Sequence, residues 1–127
     1  MDQTINIYME STGWIDAVIT AQENPVTANQ ILNALPFTSK TQLWGDEVYF
    51  EIPVHMTEEN ACIEVEEGDL AFWPAGNCMC IFFGRTPASR ADKPAAASPV
   101  NVCGRITGDL SPLKNVRSGE KIIVQQT

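Results

Sequence analysis

The sequence predicts a mainly β domain, built from about eight short antiparallel strands, one short helix and at most one further helical turn. Three observations carry this reading. Short segments that alternate apolar and polar residues recur along the whole chain. Clusters of Gly, Pro, Asn and Asp separate them at regular intervals. The stretch Gly68–Pro87 holds two dense apolar runs, Leu70–Trp73 and Cys78–Phe83, on either side of Pro74-Ala75-Gly76-Asn77. In the second run Cys78, Cys80 and Phe82 point one way and Met79, Ile81 and Phe83 the other, so the strand is apolar on both faces. A strand of that kind is covered on both sides and central to the fold. The strand spacing favours a closed barrel or a sandwich, and composition does not separate the two.

The elements follow in order. Thr4–Met9 alternates Ile5, Ile7 and Met9 with Thr4, Asn6 and Tyr8, and Trp14–Ile19 reads as its partner across a hairpin at Glu10-Ser11-Thr12-Gly13. Thr27 followed by Gln30 makes a capping box, with Ile31, Leu32 and Leu35 as one apolar helix face and Pro36 as the stop after about two turns. Thr38–Leu43 is a further short strand, and Gly45-Asp46 forms a turn. Glu47–Ile52 is a strong strand, with Val48, Phe50 and Ile52 on one face and Glu47, Tyr49 and Glu51 on the other. Met56–Asn60 is polar loop, and Ile63 with Val65 forms a short strand with a wet face. After Gly68–Pro87, the segment Thr86–Pro99 has the composition of a long loop, with Pro87, Pro94 and Pro99. Pro99–Thr107 is a strand with Val100, Val102 and Ile106 on one side. Gly108–Asn115 is a turn, and Glu120–Gln126 closes the chain as a strand holding Ile122 and Val124.

A chain of 127 residues is expected to form one domain with its own core. The net charge of −8, from 16 acidic against 8 basic residues, argues against nucleic acid and against an anionic membrane surface as partners. No apolar stretch is long enough to span a bilayer, and the N-terminus lacks the pattern of a signal peptide. With four cysteines, this points to reduced thiols in a cytoplasm. Cys78 and Cys80 share one strand face, where a disulfide has poor geometry, and their spacing lacks the gap usual in zinc sites. All four cysteines are therefore read as small core residues, and no metal or cofactor is assigned. The acids at Glu58, Glu59, Glu64, Glu66, Glu67 and Asp69 read as a solvated face. With His55 the single histidine, there is little room for a hydrolase triad.

Three motifs go further: Trp44-Gly45-Asp46-Glu47-Val48-Tyr49-Phe50, Gly68 to Gly76, and Cys80-Ile81-Phe82-Phe83-Gly84-Arg85-Thr86-Pro87. Together with Val100 to Ile106 they make the chain resemble the small prokaryotic cyclophilin-like proteins, over nearly its whole length. The resemblance implies a closed eight-stranded antiparallel barrel with little helix, and a fainter kinship to peptidyl-prolyl isomerases. Phe82-Phe83, the Pro-rich loop and Gly104-Arg105-Ile106-Thr107-Gly108 echo those enzymes. The catalytic Arg expected before an Ile-Pro pair is missing from Tyr49-Phe50-Glu51-Ile52-Pro53. The loop after Phe83 also lacks the Trp and His that isomerases carry there.

That departure bears on chemistry. Prolyl rotation faces a barrier of ~18–20 kcal/mol, and a donor aimed at the proline nitrogen in a dry site is worth ~3–4 kcal/mol. Arg85 and Arg105 are the nearest replacements for the missing donor. The apolar groove survives better, and Trp44, Tyr49, Phe50, Trp73, Pro74, Met79, Phe83 and Arg85 are its candidate ligand-binding residues. For each ring the plain alternative is packing under a loop. Glu47, beside Tyr49, could bind a ligand or a cation, or simply sit at the surface. The sequence thus points first to a module binding a peptide or small ligand, with little or no isomerase activity. The alternatives are an atypical isomerase, or an interaction domain that pairs with a partner or as a homodimer.

Overall fold

The computed structural model describes residues 2–127. β1 (Asp2–Met9) and β2 (Gly13–Thr20) form the first hairpin, with Ile5 opposite Ala17 and Ile7 opposite Ile15. The helix α1 (Pro25–Ala34) comes next, then β3 (Phe37–Lys40), β4 (Gln42–Leu43) and β5 (Glu47–Glu51). β6 (Cys62–Glu64), β7 (Asp69–Trp73), β8 (Cys78–Phe82) and β9 (Ala95–Ile106) follow. A 3₁₀ turn over Ser111–Asn115 leads to β10 (Lys121–Gln126). All the pairings are antiparallel.

The described residues form one ten-stranded sheet in the order β3-β10-β1-β2-β9-β7-β8-β5-β4, with β6 attached to β9. The expected eight-stranded closed barrel is therefore corrected on both counts. The segment read as one strand, Thr38–Leu43, is split at Thr41. The Thr41 N–H donates to the Glu120 carbonyl at 2.9 Å, its carbonyl accepts from Gly119 at 2.7 Å, and its hydroxyl donates to the Arg117 carbonyl at 2.7 Å. With its backbone tied to the turn before β10, the chain leaves β3 on β10 and starts β4 on β5. The two ends of the sheet are joined through Thr41 by the chain itself, while the strand-to-strand hydrogen-bond path among the described residues stays open.

The sheet curls around one main core. Ile5, Ile7, Ile122, Val124, Val48, Phe50, Leu70, Phe72, Met79 and Ile81 all face it, and α1 plugs it with Ala28 and Ile31. The helix begins earlier than the capping box predicts. Thr27 lies inside it, and Asn24 at its start makes no side-chain cap. The cap comes from far along the chain: the Glu59 carboxylate accepts from the Val26 and Thr27 N–H groups, each at 3.1 Å, and from the Thr27 hydroxyl at 2.9 Å. A local sequence pattern cannot show a cap delivered by a distant loop.

β8 is buried along its whole length, and its two faces enter different clusters. Met79, Ile81 and the following Phe83 join the main core, whereas Cys80 and Phe82 join a second cluster with Val65, Ala71, Ala96, Val100 and Val102. Both phenylalanines are therefore interior, one on each side of the sheet. The cover on the outer side is supplied by β6 and the first half of β9, where Cys62 pairs with Val100 and Glu64 with Ala95. The expected loop thus ends at Pro94 and β9 starts at Ala95. A bulge also corrects the face assignment in β9. Leu70 pairs with Gly104 and Ala71 with Val102, so Cys103 is the extra residue. Val100 and Val102 point to the second cluster, while Cys103 and Ile106 point to the main core. Ile63 faces outward at 43% exposure, and Val65 is the buried residue of that segment.

Candidate functional site

Over the outer face of β5 and β8 lies a partly open cleft of about 120 Å³, lined by Trp44, Glu47, Tyr49, Trp73, Ala96, Ala97 and Val100. Its position follows from strand parity. Glu47 and Tyr49 are two apart on β5 and share the outer face. Across the ladder Glu47 pairs with Phe82 and Tyr49 with Cys80, the outward-facing residues of β8. Ala96 and Val100 come over the top from the first half of β9.

The rings are held from several sides. Tyr49 and Trp73 meet edge to face, with centroids 6.1 Å apart and planes at 85°. The Trp73 indole N–H donates to the Ser98 hydroxyl at 2.6 Å, which ties the end of β7 to β9. Trp44 stands at the start of a tight turn, where its N–H donates to the Glu47 carbonyl at 3.0 Å and its carbonyl accepts from the Glu47 N–H at 3.2 Å. Gly45 in that turn has φ +60°, and a Cβ there would lie 2.9 Å from the Arg85 carbonyl oxygen. The turn is docked onto the segment after β8 by Asp46 N–H to Arg85 carbonyl (2.8 Å) and Phe83 N–H to Asp46 carbonyl (2.9 Å). Among the described residues, neither the Trp44 indole N–H nor the Tyr49 hydroxyl donates to another group of the chain.

Among the described residues, Glu47 is the one carboxyl group in the lining. It is 6% exposed, so the surface position expected for it is corrected. Burial pushes its carboxyl up to about 7, against a hydrogen bond from the Cys80 thiol that pulls it down. Burial, and then the charge of Glu47, hold Cys80 well above its usual range, so it stays a thiol and a donor. Burial raises Cys78 to about 11, with Glu51 and Glu47 adding to the effect. Neither thiol is an activated nucleophile.

Of the residues named from sequence, the structure brings Trp44, Tyr49 and Trp73 together. Phe50 and Met79 are fully buried in the main core on the opposite face of the sheet, and Phe83 is there too at 7% exposure. Their assignment to a ligand groove is corrected, because no ligand reaches them without opening the core. Strand parity carried the signal: Phe50 is out of phase with Tyr49, and Met79 with Cys80. Pro74 is half-buried in the turn after Trp73, and exposed Arg85 takes no part in the lining. Ala96 and Ala97 have the composition of the expected loop and Val100 that of a core strand residue, so none of the three stands out as cleft lining from sequence.

The model of the cyclophilin-like family matches residues 3–125. No curated protein matches the chain. Among solved structures, the chain is similar to a hypothetical protein from Archaeoglobus fulgidus determined in solution. The two are 39% identical over 99% of this chain and 95% of that one, with a TM-score of 0.84.

Proposed function

The chain belongs to the cyclophilin-like family, and from that premise we propose that it is a binding module, taking a small ligand or a peptide side chain into the cleft of Trp44, Tyr49 and Trp73. The observation that carries this reading is the convergence of three large rings from separate segments on one recess, with a single buried carboxylate beside them. Apolar walls with few polar groups are the usual make-up of a ligand site. The ring positions are set by the Ser98 hydrogen bond and the docked Trp44 turn before any ligand arrives, which lowers the ordering cost of binding. Four unpaired cysteines fit a reducing compartment, and the cytoplasm is the proposed place of work.

Prolyl isomerase activity is not favoured. The paired phenylalanines are interior, at 0% and 7% exposure, and no guanidinium lines the cleft among the described residues. A protease-coupled assay on proline peptides, run beside a thermal-shift screen of amines, acids and neutral fragments, tests both halves. The expected result is no rate gain and at least one stabilising fragment whose effect is lost in Trp73→Leu. A clear rate gain abolished by Arg85→Ala or Phe83→Ala would replace this reading with the enzymatic one.

A further inference from the structure

We propose that the cleft is specific for a small organic cation, a methylated or quaternary ammonium headgroup, with Trp44, Tyr49 and Trp73 as its cage and Glu47 as its counter-charge. This deepens the binding-module reading and rests on it. Aromatic faces carry negative potential that attracts ammonium groups, and methylated ammonium groups shed water at low cost. Tyr49 and Trp73 stand at 85° to one another and close one corner of the recess, while Trp44 adds a third ring to the lining. The remaining walls, Ala96, Ala97 and Val100, offer only apolar surface.

The carboxylate makes the choice of charge. Glu47 is 6% exposed, yet among the described residues the one side chain bonded to it is the neutral Cys80 thiol. A buried acid without a basic partner is costly when ionised. An ammonium in the cleft would supply the missing charge, whereas an anion would meet a like charge. The chain as a whole, at −8, draws cations and repels anions. The volume of about 120 Å³ fits a headgroup rather than a drug-sized molecule, for which cavities of ~300–1,000 Å³ are usual.

The test uses calorimetric titration of the full chain with choline and with 3,3-dimethyl-1-butanol, its uncharged counterpart of the same shape, at fixed KCl. The proposal expects choline to bind at least about tenfold more tightly than the alcohol. Glu47→Gln, which keeps the shape, should weaken choline by a similar factor without affecting the alcohol. Trp73→Phe should weaken choline less than Trp73→Leu, with near-ultraviolet circular dichroism confirming that each variant is folded. Equal binding of choline and alcohol would overturn the cation inference and leave the binding-module reading standing. Failure of both probes would also overturn it, and silence in the fragment screen as well would remove both readings.

Discussion

The indole of Trp73 packs directly on the backbone of Gly76, where an added Cβ would lie 2.5 Å from the ring. The same ring is fixed elsewhere by its 2.6 Å hydrogen bond to Ser98. Gly76→Ala should therefore push the indole out of its seat, since ring and turn cannot both stay. The expected outcome is a changed tryptophan fluorescence spectrum, at least tenfold weaker ligand binding, and a stability loss of about 1–2 kcal/mol. Ser98→Ala should cost about 1 kcal/mol and loosen the same ring. Retained wild-type binding in Gly76→Ala would show that the seat of Trp73 does not matter to the cleft.

Glu59 caps α1 from the loop between β5 and β6, and Asn101 completes the network: its amide donates to the Thr27 hydroxyl at 3.1 Å and its carbonyl accepts from the Glu59 N–H at 2.9 Å. Burial alone would raise the Glu59 carboxyl, but donation from the Thr27 and Val26 N–H groups outweighs it and holds the group below 4.5. A depressed folded value contributes stability above the unfolded value, and that contribution is lost as pH falls through the folded one. Glu59→Gln should cost about 1 kcal/mol at pH 7 and flatten the acid limb of stability. Urea melts between pH 3 and pH 7 check both effects.

Glu47 carries the opposite sign. Its folded value of about 7 lies above the ordinary 4.5, so the folded chain holds the proton more tightly than the unfolded one. Stability from this group falls as pH rises from about 4.5 through 7, by an amount on the order of 2–3 kcal/mol. The titratable groups facing it are Cys78 and Cys80 from β8 and Tyr49 from its own strand. Urea melts at pH 4 and pH 8 should show Glu47→Gln gaining stability over wild type at the higher pH and little or none at the lower. Cation binding should strengthen between the same two pH values, as the carboxylate ionises.

Much of this was legible in the chain, and the boundary has a physical cause. The two-faced burial of Cys78–Phe83 was readable because strand parity is local. Trp44, Tyr49 and Trp73 could be named because large amphipathic rings flanking turns are conspicuous. The burial of Glu47 could not, because its cover, Ala96 to Val100, comes from a Pro- and Ala-rich stretch that looks like loop. The helix cap from Glu59 and the extra residue at Cys103 are likewise products of tertiary pairing. The split at Thr41, which leaves the sheet open, depends on partners at 117–120.

Gly104 tests the sheet itself. It pairs with Ile19 on β2 and Leu70 on β7, and a Cβ there would collide with the Val18 carbonyl oxygen. Backbone cannot swing aside as a side chain can. Gly104→Ala should cost about 3 kcal/mol or raise the insoluble fraction, whereas Gly108→Ala, with open space around it, should change stability by less than about 1 kcal/mol. Chemical denaturation of the two variants side by side gives the comparison.

A ligand entering the recess between β5, β7 and β9 would be reported directly by the tryptophan side chains. Trp44 and Trp73 line it, while Trp14, 54% exposed and tilted against Tyr8 at 5.1 Å, lies outside it. In a ¹⁵N–¹H correlation spectrum titrated with tetramethylammonium chloride against a sodium chloride control, the indole signals of Trp44 and Trp73 should move and saturate while that of Trp14 stays in place. Equal drift of all three signals, or none at all, would show that the recess takes no ligand of this kind.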